Sequence, residues 1–379
     1  MINTEKLLAF IDYQREKSGI TKKEIAKKLD VSESTVTNLF KHRHKIKYMT
    51  FIELTRIVYG RYHHEYIRYF CMDSQLDIER EALEWAYSNS DMQVLKILIN
   101  KASIKADIDP IVRVYELQMK RLEKSISEQD FFEGVEEVFY TNKNLDLETL
   151  VLIGISTIYH LVDVAAYSAV AAKSQNTLKQ INNVQSSYLK NAYSLRIKIT
   201  LTVASMRSKQ LDVAKELSEE LAQQHVLEMF PLFYNNALIC LSEIYVFTNK
   251  EKSFKYINQS VQLMNDGFID ENPRWKAVVK STYDFVHIYH NDFQDLFFEE
   301  PAEKAHYYAK QLHITEREKA LKILNEIEAE NGGLSNFQSY YKALAMRDLK
   351  LMHKVKDKFY QSGDFYYVQL PQDFIENSY

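Results

Sequence analysis

Turn-forming residues are scarce in this sequence. It has 8 Gly and 5 Pro in 379 residues, whereas average usage is about 7% and about 5%. Folds built from strands and tight turns need these residues at their turns. Their scarcity argues against a strand-rich fold and predicts a chain that is helical from end to end. With 46% hydrophobic and 26% charged residues, the composition is that of a globular protein.

Cysteines and uncharged apolar runs are also few. Cys71 and Cys240 lack metal-binding or redox spacing, so we expect core thiols in a reducing cytosol. The N-terminus carries charges throughout and has no apolar signal-peptide core. The most apolar run, residues 150–172, contains His160 and Asp163, and a charge at the centre of a membrane span is costly. We therefore expect two packed helices there, and no membrane partner.

Charge is divided unevenly along the chain. The formal net charge is −4, but residues 1–60 contain 12 Lys/Arg and 7 Asp/Glu, a balance of +5, so the remainder carries −9. A basic head on an acidic body is typical of a nucleic-acid-binding module joined to a separate sensing module. We predict a DNA-binding domain over residues 1–60, a linker helix over 61–76 and a helical solenoid over 77–379.

The first sixty residues have the pattern of a helix-turn-helix. The second predicted helix opens at Thr21 with Glu24 three residues later, which is a capping box, and Ser32 would cap the third. The stretch resembles the helix-turn-helix of the large repressor superfamily, except that Asp30 stands where glycine is usual for a positive φ. The predicted inward-facing residues, at helical spacing, are Leu7, Leu8, Phe10, Ile11, Ile25, Ala26, Leu29, Val36, Leu39 and Phe40.

The opposite face of the third predicted helix is polar. Short polar side chains near a helix N-terminus can reach base edges in a major groove, and flanking lysines can meet phosphates. A plain three-helix packing unit with a polar face is the alternative. The candidate DNA-binding residues are Lys22, Lys23, Ser32, Ser34, Thr35, Thr37, Asn38, Lys41, His42, Arg43 and Lys45.

From residue 77 onward, amphipathic segments of helix length follow one another with short breaks. Asp212–Leu221, Lys252–Val261 and Glu318–Ile327 each resemble the second helix of a tetratricopeptide repeat, although their spacing is irregular. Stacked helix pairs leave a concave face that suits an extended peptide. The predicted fold class is all-α, with an N-terminal helix-turn-helix domain followed by a degenerate tetratricopeptide-like, right-handed helical solenoid.

No motif in the sequence supports catalysis. His63 and His64 in RYHHEY are adjacent, and adjacent residues on a helix point about 100° apart, so they cannot converge on a metal. A Gly-rich phosphate loop, a paired metal-ligand motif and a nucleophile elbow are all missing from the sequence. We predict a protein that is not an enzyme and has no metal site and no cofactor.

A helix-turn-helix followed by degenerate tetratricopeptide-like repeats resembles the peptide-sensing regulators of Gram-positive bacteria and their phages. Within that group the chain is similar to the arbitrium receptors (AimR-like proteins), the lysis–lysogeny regulators of temperate Bacillus phages. Three stretches carry the resemblance: residues 65–91, YLKNAYSLRI (Tyr188–Ile197) and SGDFYYVQLP (Ser362–Pro371).

The resemblance implies a mechanism in the cytoplasm of the host bacterial cell. The free receptor would bind operator DNA and activate a lysis-promoting transcript. A short secreted peptide of about six residues would bind the solenoid and release the DNA. A homodimer is a further expected partner, but its surface stays open, because no leucine-rich final helix like that of relatives follows QDFIENSY. A chromosomal quorum-sensing transcription factor and a helical protein-binding adaptor are the alternatives.

The resemblance also implies a peptide site. Asp364 and Glu303 match acidic positions that are expected to face an arginine of the peptide, a pairing that is strong when bidentate. Val203 and Arg207 stand where relatives have asparagine, and Met229 where they have a basic residue, so we expect a signal with a more apolar front half. Further candidates are Asn191, Arg196, Asn235 and Asn236. For the first two of these, an inter-repeat hydrogen bond is the alternative.

Overall fold

The structure is a computed structural model that describes residues 3–41, 46–73, 79–103, 109–267 and 273–377. Every regular element in those residues is a helix, which confirms the predicted all-α fold class. The chain forms two compact units. Unit 1 comprises residues 1–156 and 180–193, and unit 2 comprises residues 157–179 and 194–379. The cysteines Cys71 and Cys240 are both buried free thiols.

Unit 1 contains the predicted helix-turn-helix and the helices that follow it. Its helices are α1 (Thr4–Lys17), α2 (Lys22–Lys28), α3 (Glu33–Phe40), α4 (Tyr48–Tyr59), α5 (His64–Met72), α6 (Arg80–Ser88), α7 (Met92–Ser103), α8 (Pro110–Leu122) and α9 (Glu128–Thr141). Helix α1 packs on α3 and α4, and α2 also packs on α3 and α4. From α4 to α8, helices contact neighbours one or two places along the chain, as in stacked helix pairs.

The core of the head is the predicted one with one correction. Leu7, Leu8 and Ile11 are buried, but Phe10 is 48% exposed, so the prediction that it faces inward was wrong. Phe10 lies about 100° around the helix from Ile11, on the side away from Leu8, and so falls outside the buried stripe. Of the other predicted core positions, all are buried except Leu29, which is half-buried.

The apolar run at residues 150–172 forms parts of two helices, as predicted. Helix α10 (Leu147–Asp163) ends just before Ala165, whose φ is 57°, and α11 (Tyr167–Ile181) begins two residues later. Helix α12 (Ser187–Arg207) follows. Each of these three helices has residues in both units. Within the part of the chain that the structure describes, no helix combines the length and apolar character needed to cross a membrane.

Unit 2 is a succession of packed helices. They are α13 (Leu211–Leu221), α14 (Gln224–Met229), α15 (Pro231–Tyr245), α16 (Lys250–Asn265), α17 (Pro273–Tyr289), α18 (Pro301–Lys310), α19 (Ile314–Asn331), α20 (Asn336–Met346), α21 (Leu349–Gln361) and α22 (Gln369–Glu376). From α15 onward each helix packs on the next, and α15–α17, α18–α20 and α20–α22 also pack across one helix. This nearest-neighbour pattern is that of a helical solenoid. The three repeat-like segments of the sequence lie in α13, α16 and α19.

Candidate functional site

The turn between α2 and α3 is built by local hydrogen bonds. The Thr21 hydroxyl accepts the N–H of Glu24 at 3.1 Å, and Oε2 of Glu24 accepts the N–H of Thr21 at 2.6 Å, which completes the predicted capping box. The Thr21 N–H holds the pKa of Glu24 below its usual value. Asp30 has a φ of 53°, the left-handed conformation expected at this turn. The turn therefore has helix-turn-helix geometry although it lacks glycine.

The predicted DNA-reading face of α3 divides into capping and exposed residues. The Ser32 hydroxyl accepts the N–H of Thr35 at 3.1 Å and lies 2.7 Å from the Ser34 hydroxyl and 2.8 Å from that of Thr35. These hydroxyls are therefore engaged at the N-terminus of the helix. Thr37 and Asn38 are half-buried on the next turn.

The predicted cations border α3. Lys23 and Lys41 are exposed, and Lys22 is half-buried with its Nζ 5.8 Å from the ring centre of Phe40. The predicted DNA contacts His42, Arg43 and Lys45 lie outside the described residues. Their role stays a prediction.

In unit 2, the structure pairs two predicted peptide-site residues with each other. Arg207 ends α12, and its Nη1 donates a hydrogen bond to Oδ2 of Asp364. The Asp364 side chain is 9% exposed and that of Arg207 is 23% exposed. Burial raises the pKa of Asp364, and the guanidinium of Arg207 opposes this shift. The carboxylate that was expected to meet a ligand's arginine therefore meets an arginine of the chain itself.

Aromatic rings and a backbone bond fix this ion pair. The guanidinium carbon of Arg207 lies 4.6 Å from the ring centre of Tyr367 and 5.8 Å from that of Phe337, within the range of cation–π attraction. The Tyr366 N–H donates to the Arg207 carbonyl at 3.2 Å. The C-terminal segment after α21 is thus attached to the end of α12 by both main chain and side chain.

A second carboxyl lies beside the pair and was not predicted. The Tyr367 hydroxyl donates to Oε1 of Glu243 at 2.6 Å, and the Tyr366 hydroxyl donates to the Glu243 carbonyl at 2.5 Å. Burial raises the pKa of Glu243 despite the nearby charge of Arg207. The only sequence signal for this network was SGDFYYVQLP, which contains both tyrosines but gives no hint of Glu243, more than 120 residues away.

Glu303, the second predicted acidic residue, is already engaged in the core. Its Oε1 accepts a hydrogen bond from the Tyr341 hydroxyl at 3.0 Å, and its Oε2 lies 3.3 Å from Nδ1 of His306. Burial raises the pKa of Glu303 to about 8 and lowers that of His306. Glu303 is 7% exposed, so it stabilises the helix packing and presents little surface to a ligand.

The other peptide-site candidates lie on α12, α14 and α15, and they differ in how far their side chains are exposed. Nε of Arg196 donates to the Tyr159 hydroxyl at 2.8 Å, which is the inter-repeat bond considered as its alternative role. Asn235 is fully buried and accepts from the Ser260 hydroxyl at 2.6 Å. Asn236, Val203 and Met229 are half-buried in unit 2, and Asn191 is exposed in unit 1.

A pocket of about 520 Å³ lies beside the Arg207–Asp364 pair in unit 2. Gly363 and Phe365, which flank Asp364, form part of its wall. Gly363 has a φ of 70°, a left-handed conformation in which a side chain would be strained. Apart from Leu201 and Gln210, the remaining lining residues are small or hydroxylated: Ala165, Tyr167, Ser168, Ala171, Ala204, Ser205 and Ser208.

Comparison with known proteins identifies the family of this chain. The family model described as AimR transcriptional regulator-like matches residues 63–376. The chain belongs to this family. Membership places it in a family of transcriptional regulators and confirms the resemblance to arbitrium receptors. The matched range begins after α4, so the assignment of DNA binding to the head depends on the head's own residues.

One relative and two solved structures are similar to this chain over most of its length. The uncharacterised protein pXO2-35 of Bacillus anthracis is 28% identical over 232 residues, which cover 61% of this chain and 85% of that protein. A solved structure of phAimR with a ligand has a TM-score of 0.74 at 16% identity and covers 89% of this chain and 98% of that one. A selenomethionine structure of phAimR gives 0.71 at 15% identity, over 98% and 97%. These structures show the shared helical fold.

Proposed function

We propose that this chain is a peptide-responsive, DNA-binding transcriptional regulator that controls a phage lysis–lysogeny decision. The free form binds operator DNA through the helix-turn-helix and activates a lysis-promoting transcript in the host cytoplasm. A short secreted peptide binds unit 2 and releases the DNA. The observation that carries the proposal is the family match over residues 63–376, preceded by a capped helix-turn-helix at α2 and α3.

Two separate groups of residues in the head support operator binding. Thr37 and Asn38 lie on α3 beyond the capping residues, where side chains can reach base edges, and Lys23 and Lys41 are exposed where they can meet phosphates. Base contacts set sequence preference, whereas phosphate contacts set affinity and its dependence on salt. The two groups of residues therefore have separable effects.

Selection of binding sites from random duplex DNA by the full chain tests this assignment. We expect an enriched sequence, discrimination that weakens in Asn38→Ala, and a salt dependence reduced by about one phosphate contact in Lys23→Ala. Lys143→Ala, which changes an exposed lysine far along the sequence, serves as the matched control and should change neither. Recovery of no enriched sequence would argue for a protein-binding adaptor instead.

Peptide sensing is tested by thermal unfolding of the full chain with synthetic hexapeptides that end in Arg-Gly-Ala or in Gln-Gly-Ala. A ligand that binds only the native state raises the melting temperature by mass action. We expect a subset of hexapeptides to stabilise the chain in a concentration-dependent way. A panel that never raises the melting temperature at any concentration would count against peptide sensing of this class.

The Bacillus anthracis relative favours a second candidate function. Because that relative comes from a bacterium, the same parts also suit a chromosomal peptide-regulated transcription factor with a different set of target genes. The genes beside the coding sequence separate the two candidates. Phage structural genes favour the lysis–lysogeny function, and a bacterial operon favours the alternative.

A further inference from the structure

The Asp364 carboxylate has the properties of a cation-binding subsite. The side chain is 9% exposed, and its Oδ1 is buried without a hydrogen-bond partner in the described residues, although the Tyr367 N–H lies near enough to favour the charged form. A buried carboxylate needs a positive partner, because removing it from water is costly. The aromatic faces of Tyr367 and Phe337 provide further attraction for a cation beside it.

The cation in this subsite comes from the chain itself. Arg207 reaches Oδ2 of Asp364 across 157 residues of sequence, and its guanidinium lies over both aromatic rings. The bond from the Tyr366 N–H to the Arg207 carbonyl holds the two segments together at the main chain. A cationic ligand group would have to displace Arg207 or approach its positive charge. Either route weakens binding.

The unused hydrogen-bonding groups of the pair are suited to a neutral ligand. Oδ1 of Asp364 can accept an N–H, and in the described residues only one Arg207 N–H group, on Nη1, has a hydrogen-bond acceptor. The Arg207 side chain is 23% exposed, so its remaining donors can reach a carbonyl or a carboxylate. A peptide backbone presents both kinds of partner without any cation.

We infer that Arg207 is a specificity-determining residue that fills the cation subsite of Asp364 from within the chain, so that the site selects peptides without a cationic side chain at this position. The selection of peptides rests on the proposed peptide-binding function. The occupancy of the subsite by Arg207 can be tested without any peptide.

Chemical rescue tests the occupancy. In Arg207→Ala, Asp364 is left buried without its cation, so we expect the full chain to melt about 5 °C lower or more. Propylguanidinium at millimolar concentration should restore part of this loss, whereas propylurea, its neutral counterpart of similar shape, should not. The double variant Arg207→Ala/Asp364→Asn should show no rescue. Equal effects of the two compounds on Arg207→Ala would overturn the inference.

Peptide pairs test the selection. We expect the wild-type chain to bind hexapeptides ending in Gln-Gly-Ala at least as tightly as those ending in Arg-Gly-Ala, and Arg207→Asn to favour the Arg-Gly-Ala peptides by ten-fold or more. Arg207→Lys, which keeps the charge, should behave like the wild type and remains informative if Arg207→Asn does not fold. A wild-type preference for the arginine peptides that survives in Arg207→Asn would overturn the inference.

If no hexapeptide binds either protein, the proposed peptide sensing fails, and the rescue experiment still decides whether Arg207 fills the subsite.

Discussion

At the scale of single residues, one strained position shapes the turn of the head. Asp30 is exposed with a φ of 53°, a conformation that costs an ordinary residue roughly 1–2 kcal/mol. We expect Asp30→Gly to leave the free energy of unfolding unchanged or to raise it by up to ~1 kcal/mol, and Asp30→Val to lower it by ~1–2 kcal/mol. Urea unfolding of the full chain measures both, and equal stability of the two variants would contradict this account of the turn.

Glu303 makes stability depend on pH. Its pKa is about 8 in the folded chain, against 4.5 ordinarily, so folding retains a proton that the unfolded chain releases. Its stabilising contribution is complete below pH 4.5 and is lost as the pH rises through 8. Burial lowers the pKa of His306 from its ordinary value of 6.5, so protonation of His306 destabilises the folded chain as the pH falls below 6.5, which opposes the effect of Glu303. The contribution of Glu303 alone is therefore clearest between about pH 6.5 and pH 8.

Across that window we expect the wild type to lose up to about 2 kcal/mol of stability that Glu303→Gln does not lose. Urea unfolding at several pH values provides the comparison. Glu318→Gln is the matched control, because Glu318 is exposed on the neighbouring helix α19, and its slope should equal that of the wild type. Parallel pH profiles of the wild type and Glu303→Gln would contradict the assigned pKa.

Local residue roles were predictable from the sequence, and distant partnerships were not. Thr21 and Glu24 bond to each other three residues apart, and Asp30 takes its positive φ within a single turn, so local spacing alone predicted these features. The sequence did not predict the bonds of Asp364 to Arg207 and of Glu303 to Tyr341, which lie 157 and 38 residues away. No periodic pattern encodes such pairings, because they depend on how helices pack.

At the scale of an element, α3 depends on its N-cap. Ser32 accepts the N–H of Thr35, whereas the neighbouring Ser34 is exposed and accepts no backbone N–H in the described residues. We expect Ser32→Ala to cost about 1 kcal/mol of stability and to weaken binding to all DNA sequences by destabilising the helix. Ser34→Ala is the matched change and should stay within about 0.5 kcal/mol of the wild type. Equal losses in the two variants would show that the cap is not the cause.

The positions of the helices were easier to predict than the faces that their neighbours cover. The three repeat-like segments and the break within residues 150–172 match observed helices because apolar periodicity and short polar breaks are local signals. Phe10 was assigned to the wrong face because an apolar residue beside a buried stripe looks the same in sequence whether or not a neighbour covers it.

At the scale of the whole molecule, the proposed function requires that the DNA-binding head and the peptide site in unit 2 be coupled. The predicted division into residues 1–60, 61–76 and 77–379 stays a prediction. Coupling between two binding sites is reciprocal, so a peptide that lowers operator affinity by a given factor must lose the same factor of its own affinity when the operator is bound. Typical couplings of this kind are about 5–150-fold.

The most direct test of the central claim is to titrate DNA recovered by the site selection with the full chain, in the presence and absence of a hexapeptide that raises its melting temperature. We expect tight binding of the free chain, at least five-fold weaker binding with saturating peptide, and the same factor when peptide is titrated in the presence of saturating DNA. Equal DNA affinity with and without the peptide would contradict the central claim.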